Sequence, residues 1–367
     1  MRMRALGLVA LSAVTALVLA ACGGDDSADS GNATASSSSS VKGKVGVILP
    51  DTQSSARWES FDKPLLTKAF EEAGVDADIQ NALGDKSKFV SIADGMIQEG
   101  VSVLAIVNLD SATGAQVEAK AKAAGVKTID YDRLTLGGQA DYYVSFDNVK
   151  VGELQGQGLV DCLTAAKKTT ASIIELNGSP TDNNATLFKQ GYDSVLDKQY
   201  AKGWKKAGDQ SVPDWDNAKA VTIFEQLLTA AGGKVDGVLA ANDGLGNSAI
   251  TVLKKNGLKV PVTGQDATAG GLQNILAGDQ CMTVYKPIKD EADGLVKLAV
   301  SLLKNEKAET TGTVEDTQGK RQVPSLLLTP KAITKETVKD VVADGFVTKA
   351  ELCTGKYAAL CTEAGIA

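Results

Sequence analysis

The sequence predicts an α/β protein of two Rossmann-like lobes, each a parallel sheet flanked by helices. Short apolar segments alternate with helix-length segments from Lys44 to Tyr285, and the rhythm runs twice without an obvious repeat of the residues themselves. Alternation of this kind indicates βαβ units, in which strands buried on both faces read as near-continuous apolar runs. Gly74, Gly100 and Gly125 each follow a predicted helix, where a left-handed residue closes the last turn.

In the first lobe the pattern gives strands at Lys44–Leu49, Asp76–Gln80, Val103–Val107, Val126–Tyr131 and Tyr142–Phe146, with helices at Trp58–Ala73, Lys88–Glu99 and Ala112–Ala124. Asp147 and Asn148 are suited to cap a helix starting near Val149, so the chain is expected to leave the first lobe there. In the second lobe, helices are predicted at Val149–Leu163, Asn184–Gln199, Ala218–Ala230, Ser248–Lys255 and Leu272–Leu276. Strands are predicted at Ala171–Leu176, Val235–Ala241, Val260–Gly264 and Met282–Tyr285.

Ahead of the lobes, Arg2 and Arg4 precede an apolar run, Ala5–Ala21, that ends L-A-A-C at Cys22. A basic start, a run short for a bilayer and small residues before a cut describe an export signal over 1–21. A cysteine directly after L-A-A resembles a lipobox, which implies a lipid on Cys22, and 22–42 is then a disordered tether to the membrane.

Acidic residues outnumber basic ones, 45 to 38, and loss of Arg2 and Arg4 with the signal takes the formal charge from −7 to −9. That balance argues against nucleic acid as a partner. With no histidine in the chain, the usual general base, the Ser-His and Cys-His nucleophile pairs and the commonest zinc ligand are missing. An enzyme is not expected, nor a metal or cofactor. One rival is formally present: Gly244 to Ala249 spells G-x-G-x-x-A after a strand, with Asp266 some twenty residues on, the fingerprint of an NAD-binding turn.

Ligands of open α/β sheets bind beyond the carboxyl ends of the strands. The loops there carry Arg57 and Trp58 after the first strand, Asp132 and Arg133 after the fourth, and Asp182, Asn183 and Asn184 before a helix. Asn242, Asp266 and Lys286 end three further strands. Any one of these could be a helix cap or a surface charge, but their recurrence at one edge suggests a common purpose.

The spelling of these loops resembles a known family. Y-D-R at 131–133, Y-x-S-F-D-N-x-K-V-G-E-L-Q at 143–155, D-N-N-A at 182–185, N-D at 242–243, G-Q-D-A at 264–267 and M-T-V-Y-K-P at 282–287 occur in order, after R-W at 57–58. Together they resemble the D-xylose-binding proteins of bacterial ABC sugar importers, within the type I periplasmic binding proteins, over roughly 45–349. The resemblance implies a three-segment hinge. It assigns 43–147 with 288–320 to the first lobe, 148–287 with 321–349 to the second, and 350–367 to a tail. Ile288–Leu303 would return to the first lobe, and Val323–Leu328 would cross a third time.

It also implies that Arg57, Arg133, Asp182, Asn184, Asn242, Asp266 and Lys286 meet sugar hydroxyls, which donate once and accept twice and so need both kinds of partner. Trp58 and Trp215 would cover the sugar's carbon faces; V-P-D-W-D-N-A around Trp215 departs somewhat from the family spelling. The implied ligand is a monosaccharide, D-xylose ahead of other pentoses and hexoses, and the implied partner an ABC permease that reads the closed form of a monomer. A binding protein that reports sugar to a receptor would share the same site. Four cysteines follow Cys22: Cys353 with Cys361 and Cys162 with Cys281 could form bridges or remain free thiols.

Overall fold

The computed structural model describes residues 42–55 and 57–366. The export signal, Cys22 and the tether up to residue 41 lie outside the described residues.

The chain order begins β1 Lys44–Leu49, a π-type turn Trp58–Asp62, α1 Lys63–Glu72, β2 Asp76–Asn81, α2 Lys86–Gln98, β3 Val103–Ile106, α3 Ser111–Ala123, β4 Lys127–Tyr131 and β5 Tyr142–Phe146. It continues with α4 Asn148–Ala165, β6 Ser172–Asn177, α5 Asn183–Tyr200, β7 Lys205–Ser211, a short 3-10 turn Pro213–Trp215, α6 Asn217–Ala230, β8 Gly237–Ala240, α7 Asp243–Lys255, α8 Ala269–Ala277 and β9 Thr283–Tyr285. The last part holds α9 Ile288–Leu303, β10 Gly312–Asp316, β11 Arg321–Leu328, β12 Lys331–Ile333, α10 Val338–Ala343, α11 Lys349–Leu352 and α12 Tyr357–Glu363.

The first lobe is a seven-stranded sheet in the order β10-β11-β5-β4-β3-β1-β2, parallel apart from the β10–β11 hairpin. Its two faces bury separate apolar layers, one around Val47, Phe70, Ile129 and Leu295 and the other around Ile48, Phe89, Leu104 and Val117. α9 packs on this sheet, so the chain does return here after β9. The second lobe is built on β7-β6-β8, all parallel, and its largest apolar cluster includes Ile174, Phe188, Tyr192, Phe224 and Val238.

Two sequence expectations need correction, and one strand lies where no element is predicted. Val323–Leu328 is not the third crossing and 321–328 is not second-lobe chain. β11 pairs with β5 from Ser325↔Tyr143 to Leu328↔Phe146, and the chain crosses only after Leu328, where β12 joins β9. Its apolar residues fit a buried strand of either lobe, and only pairing decides between them.

Lys205–Ser211, to which the sequence pattern assigns no element, forms edge strand β7. K-K-A-G-D-Q-S has no apolar alternation because an edge strand is half solvated, and charged side chains there discourage pairing with another chain. Val260–Gly264, conversely, is bridged to β8 only at Val262↔Val238. Pro261 has no N–H to give, and the Thr263 hydroxyl takes the Ala240 N–H at 3.0 Å in place of a backbone carbonyl.

Side-chain caps set where many helices begin, and therefore where their loops end: Asp85, Asp110, Asp147, Asp182, Asp216, Asn242 and Thr268 each accept a backbone N–H from the first turn. α4 and α5 lie almost backbone to backbone. A Cβ on Gly152 would stand 1.9 Å from the Phe188 carbonyl oxygen, and one on Gly191 would stand 2.1 Å from that of Val149. This approach brings Asn148, at the head of α4, against Asn184 in the first turn of α5.

Both cysteine pairs are bonded, Cys162–Cys281 within the second lobe and Cys353–Cys361 in the terminal segment. The terminal segment packs on α8 and on Tyr285 and Ile333, so 350–367 is part of the second lobe's apolar structure rather than a loose tail.

Candidate functional site

The carboxyl ends of both sheets face one cavity. Arg57, Trp58, Arg133, Asp182, Asn184, Trp215, Asn242, Asp266 and Lys286 all line it, together with Ser54, Ser55, Asp132, Phe188 and Gln265. Its free volume is about 30 Å³, room for roughly two waters. It is narrow because the lining groups reach one another. Asn184 donates from Nδ2 to the Asp132 carbonyl oxygen at 2.9 Å and to Asp132 Oδ1 at 3.1 Å, joining the second lobe to the first. Arg133 Nε stands 3.1 Å from Asp182 Oδ2 across the same gap. That N–H is not aimed at the carboxylate and has no hydrogen-bond partner among the described residues.

On the first-lobe side, Arg57 is more heavily engaged than a group waiting for hydroxyls. Its Nε and Nη2 donate to Asp62 at 2.8 and 2.7 Å, Nη2 also to Glu291 at 2.5 Å, and Nη1 to Asp132 at 2.7 Å. Tyr131 donates its hydroxyl to Asp62 at 2.5 Å behind them. Burial opposes the Arg57 charge, but Asp62, Glu291 and Asp132 hold its pKa well above the ordinary value.

The three acids divide. Burial pushes Asp62 up in spite of Arg57, and pushes Glu291 to about 8. Burial acts the same way on Asp132, yet Arg57, Lys286 and Arg133 together hold it below its ordinary value. At neutral pH the pocket therefore keeps the Asp132 carboxylate charged and largely neutralises Glu291.

Trp58 is buried with its ring under two guanidinium groups, Arg57 at 4.5 Å and Arg133 at 5.4 Å from the centroid, so cations take part of the surface expected to cover a sugar. Its Nε1 donates to Ser54 Oγ at 3.0 Å, which also accepts from Arg133 Nη2 at 3.1 Å. Trp215 sits against Gly178 in the second lobe and donates from Nε1 to Asp182 Oδ2 at 3.1 Å.

Two of the expected contact groups also cap helices. Asp182 Oδ1 accepts from the Asn184 N–H at 2.9 Å, and Asn242 Oδ1 accepts from the Leu245 N–H at 2.9 Å. Capping and lining the cavity are compatible, since each side chain keeps a second polar atom. Lys286 lies 3.3 Å from Asp266 and 5.9 Å from the ring centroids of Phe146 and Phe188.

Backbone strain gathers at this cavity. Asp132, Trp215 and Asp266 have φ of 61°, 56° and 95°, and Asp214 and Ala267 beside them have 59° and 49°. Non-glycine residues in this region cost on the order of 1–3 kcal/mol each and persist where surrounding structure imposes them. Buried Asp243 ties the loop down two residues after Asp266: its carboxylate accepts from the Thr268 N–H and hydroxyl at 2.8 and 3.0 Å, from Gln280 at 2.8 Å and from Thr283 at 2.8 Å. Burial raises Asp243 to about 7.

The G-x-G-x-x-A fingerprint falls within α7, directly after this acid. A Cβ on Gly244 would meet Asn217 Oδ1 at 2.6 Å, and one on Gly246 the Thr263 carbonyl oxygen at 3.0 Å. Close packing accounts for these two glycines.

Asp132 lies in the cavity beside Arg133, as its strand-end position predicts, and four further cavity residues were not singled out from sequence. Phe188 follows Asn184 by one helical turn. Ser54, Ser55 and Gln265 carry no signal beyond lying in the same loops.

Two α/β lobes joined by three crossings, with polar side chains of both directed at one cavity, define the two-lobed solute-binding class. The chain belongs to the periplasmic binding protein family, whose domain matches residues 45–307. It is 40% identical over 310 residues to the D-xylose-binding periplasmic protein of Haemophilus influenzae, covering 83% of this chain and 91% of that one. It is 38% identical over 313 residues to the D-xylose-binding periplasmic protein of Escherichia coli K12, covering 84% and 92%. A carbohydrate transporter solute-binding protein from Chloroflexus aurantiacus, solved in complex with D-glucose, matches with TM-score 0.77 and 30% identity over 84% of this chain and 98% of that one. The family is one of extracytoplasmic solute-binding proteins.

Proposed function

We propose that the chain captures a monosaccharide, D-xylose before other pentoses and hexoses, between its lobes and delivers it to an ABC permease while a lipid on Cys22 holds it at the outer face of the membrane. The observation that carries this reading is the convergence of Arg57, Trp58, Arg133, Asp182, Asn184, Trp215, Asn242, Asp266 and Lys286, drawn from loops of both sheets, on one cavity. Carboxylate and amide oxygens supply acceptors, and guanidinium, ammonium and amide nitrogens supply donors, as an uncharged polyol needs. The relatives named for D-xylose at 40% and 38% identity favour that sugar, and the glucose complex makes a hexose the next to test.

The groups that now meet across the gap, Asn184 hydrogen-bonded to Asp132 and Arg133 in charge contact with Asp182, are those a sugar would bridge. Sugar would then stabilise the closed arrangement, and a permease would discriminate it from the open one. Calorimetric titration with D-xylose, D-ribose, L-arabinose, D-glucose and D-galactose tests the reading, with D-xylose expected to bind tightest. Absence of heat with all five would overturn sugar capture. Scattering at saturating sugar should show compaction, and its absence would overturn hinge closure.

A further inference from the structure

Three aromatic rings join the lobes outside the cavity. Phe61 lies in the π-type turn that also carries Trp58, directly after Arg57, and stacks on Phe346 with centroids 4.3 Å apart and planes at 22°. Phe346 in turn lies 5.2 Å from Tyr285 at 51°, and Tyr285 is the residue before Lys286. None of the three rings lines the cavity.

The rings have different anchors. The turn bearing Phe61 packs on α1 and α9 of the first lobe. Phe346 packs on the second lobe's apolar cluster with Tyr285, Val338 and Val347. We propose that Phe346 is a positioning residue for sugar capture: its stack on Phe61 biases the lobes toward the closed arrangement in which their cavity residues meet. The ligand in this proposal rests on the sugar-capture reading, while the bias itself rests on the ring geometry.

Swinging the lobes apart about the crossings near 147, 287 and 329 separates Phe61 from Phe346, because each ring stays with its own lobe. The same swing separates Arg57 and Trp58 from Lys286. The stack therefore enters the closing equilibrium without touching the sugar, and apparent affinity scales with the closed fraction. An aromatic pair of this kind changes an equilibrium constant by roughly two- to twelvefold.

The test uses the full chain with Phe61→Ala, Phe346→Ala and the double variant, titrated calorimetrically with D-xylose, with scattering on the sugar-free samples. Each single change should weaken binding by roughly two- to twelvefold, mainly through faster release. The double should lose no more than either single, as for two members of one contact. Phe61→Tyr, which keeps the ring, should bind as the unaltered chain does, and the alanine variants should be more expanded without sugar.

Unchanged affinity in both singles, or losses that add in the double, would overturn the proposal. Phe346→Ala also hollows the second-lobe cluster. If it fails to fold, half-buried Phe61, altered alone, decides by the same criteria of affinity and Phe61→Tyr recovery. If the unaltered chain binds none of the sugars, the capture reading falls, and the latch is judged by scattering: equal dimensions for the unaltered chain and Phe61→Ala overturn it.

Discussion

Replacing Arg57 by glutamine should destabilise the protein by an amount that grows with pH. The guanidinium is shared by Asp62, Asp132 and Glu291, with side-chain exposures of 4% for the arginine and 0%, 6% and 0% for the acids. Removing one partner of a buried ion pair costs about 3–5 kcal/mol, because the other charge stays buried without compensation.

The pH dependence follows from which acids are charged. In the unaltered chain Asp132 is held below its ordinary value, so its contribution is present above the unfolded pKa of about 3.9 and lost on acidification. Without Arg57, the folded pKa values of all three acids rise, Asp62 and Glu291 further above their ordinary values and Asp132 from below its own. A raised acid stabilises fully below its unfolded pKa and loses that contribution as pH climbs through the folded one. Glu291, already near 8, adds least to the deficit at pH 7. The loss should approach the full 3–5 kcal/mol near pH 8 and fall to less than half near pH 5. Urea unfolding followed by tryptophan fluorescence at the two pH values reads this directly. Equal losses at both, or a loss under about 1 kcal/mol at pH 8, would refute the charge-cluster argument.

Two further outcomes are expected. A Cβ on Gly178 would come 2.1 Å from the Trp215 ring, so Gly178→Ala should displace that ring from Asp182 and weaken sugar binding by about tenfold or more, at a stability cost of about 1–3 kcal/mol; unaltered calorimetric affinity counts against Trp215 as a sugar contact. Cys162→Ser opens a bridge spanning 119 residues and should cost about 2–5 kcal/mol, seen as a lower melting temperature that reductant reproduces in the unaltered chain; identical melting of that chain with and without reductant contradicts it.

Most of the fold was legible because parallel strands covered on both faces are apolar throughout, and β1 and β5 fall at the residues the pattern indicated. β7 was invisible for the converse reason: an edge strand with two lysines carries no periodic signal. Residues 260–264 looked like a strand because apolarity was readable, while the ladder-breaking roles of Pro261 and the Thr263 hydroxyl depend on their neighbours. β11 shows the remaining limit, since an apolar strand does not say which sheet receives it.

The nine proposed contact residues converge because strand-end loops share one edge, and the family spelling picked them from among the caps. What the sequence could not convey is how far Arg57 is committed to Asp62 and Glu291, acids five and 234 positions away. Such a partnership depends on α9 coming back to the first sheet.

That return also constrains how the molecule can be made. The first sheet needs β11 beside β5, and one of its apolar layers needs α9, yet those pieces lie in the last quarter of the chain and emerge after the whole of 148–285. Nascent chain up to Phe146 would have an open sheet edge and an uncovered apolar face, so neither half is complete until synthesis is nearly over. Any stop codon ahead of about residue 328 therefore leaves both halves unfinished.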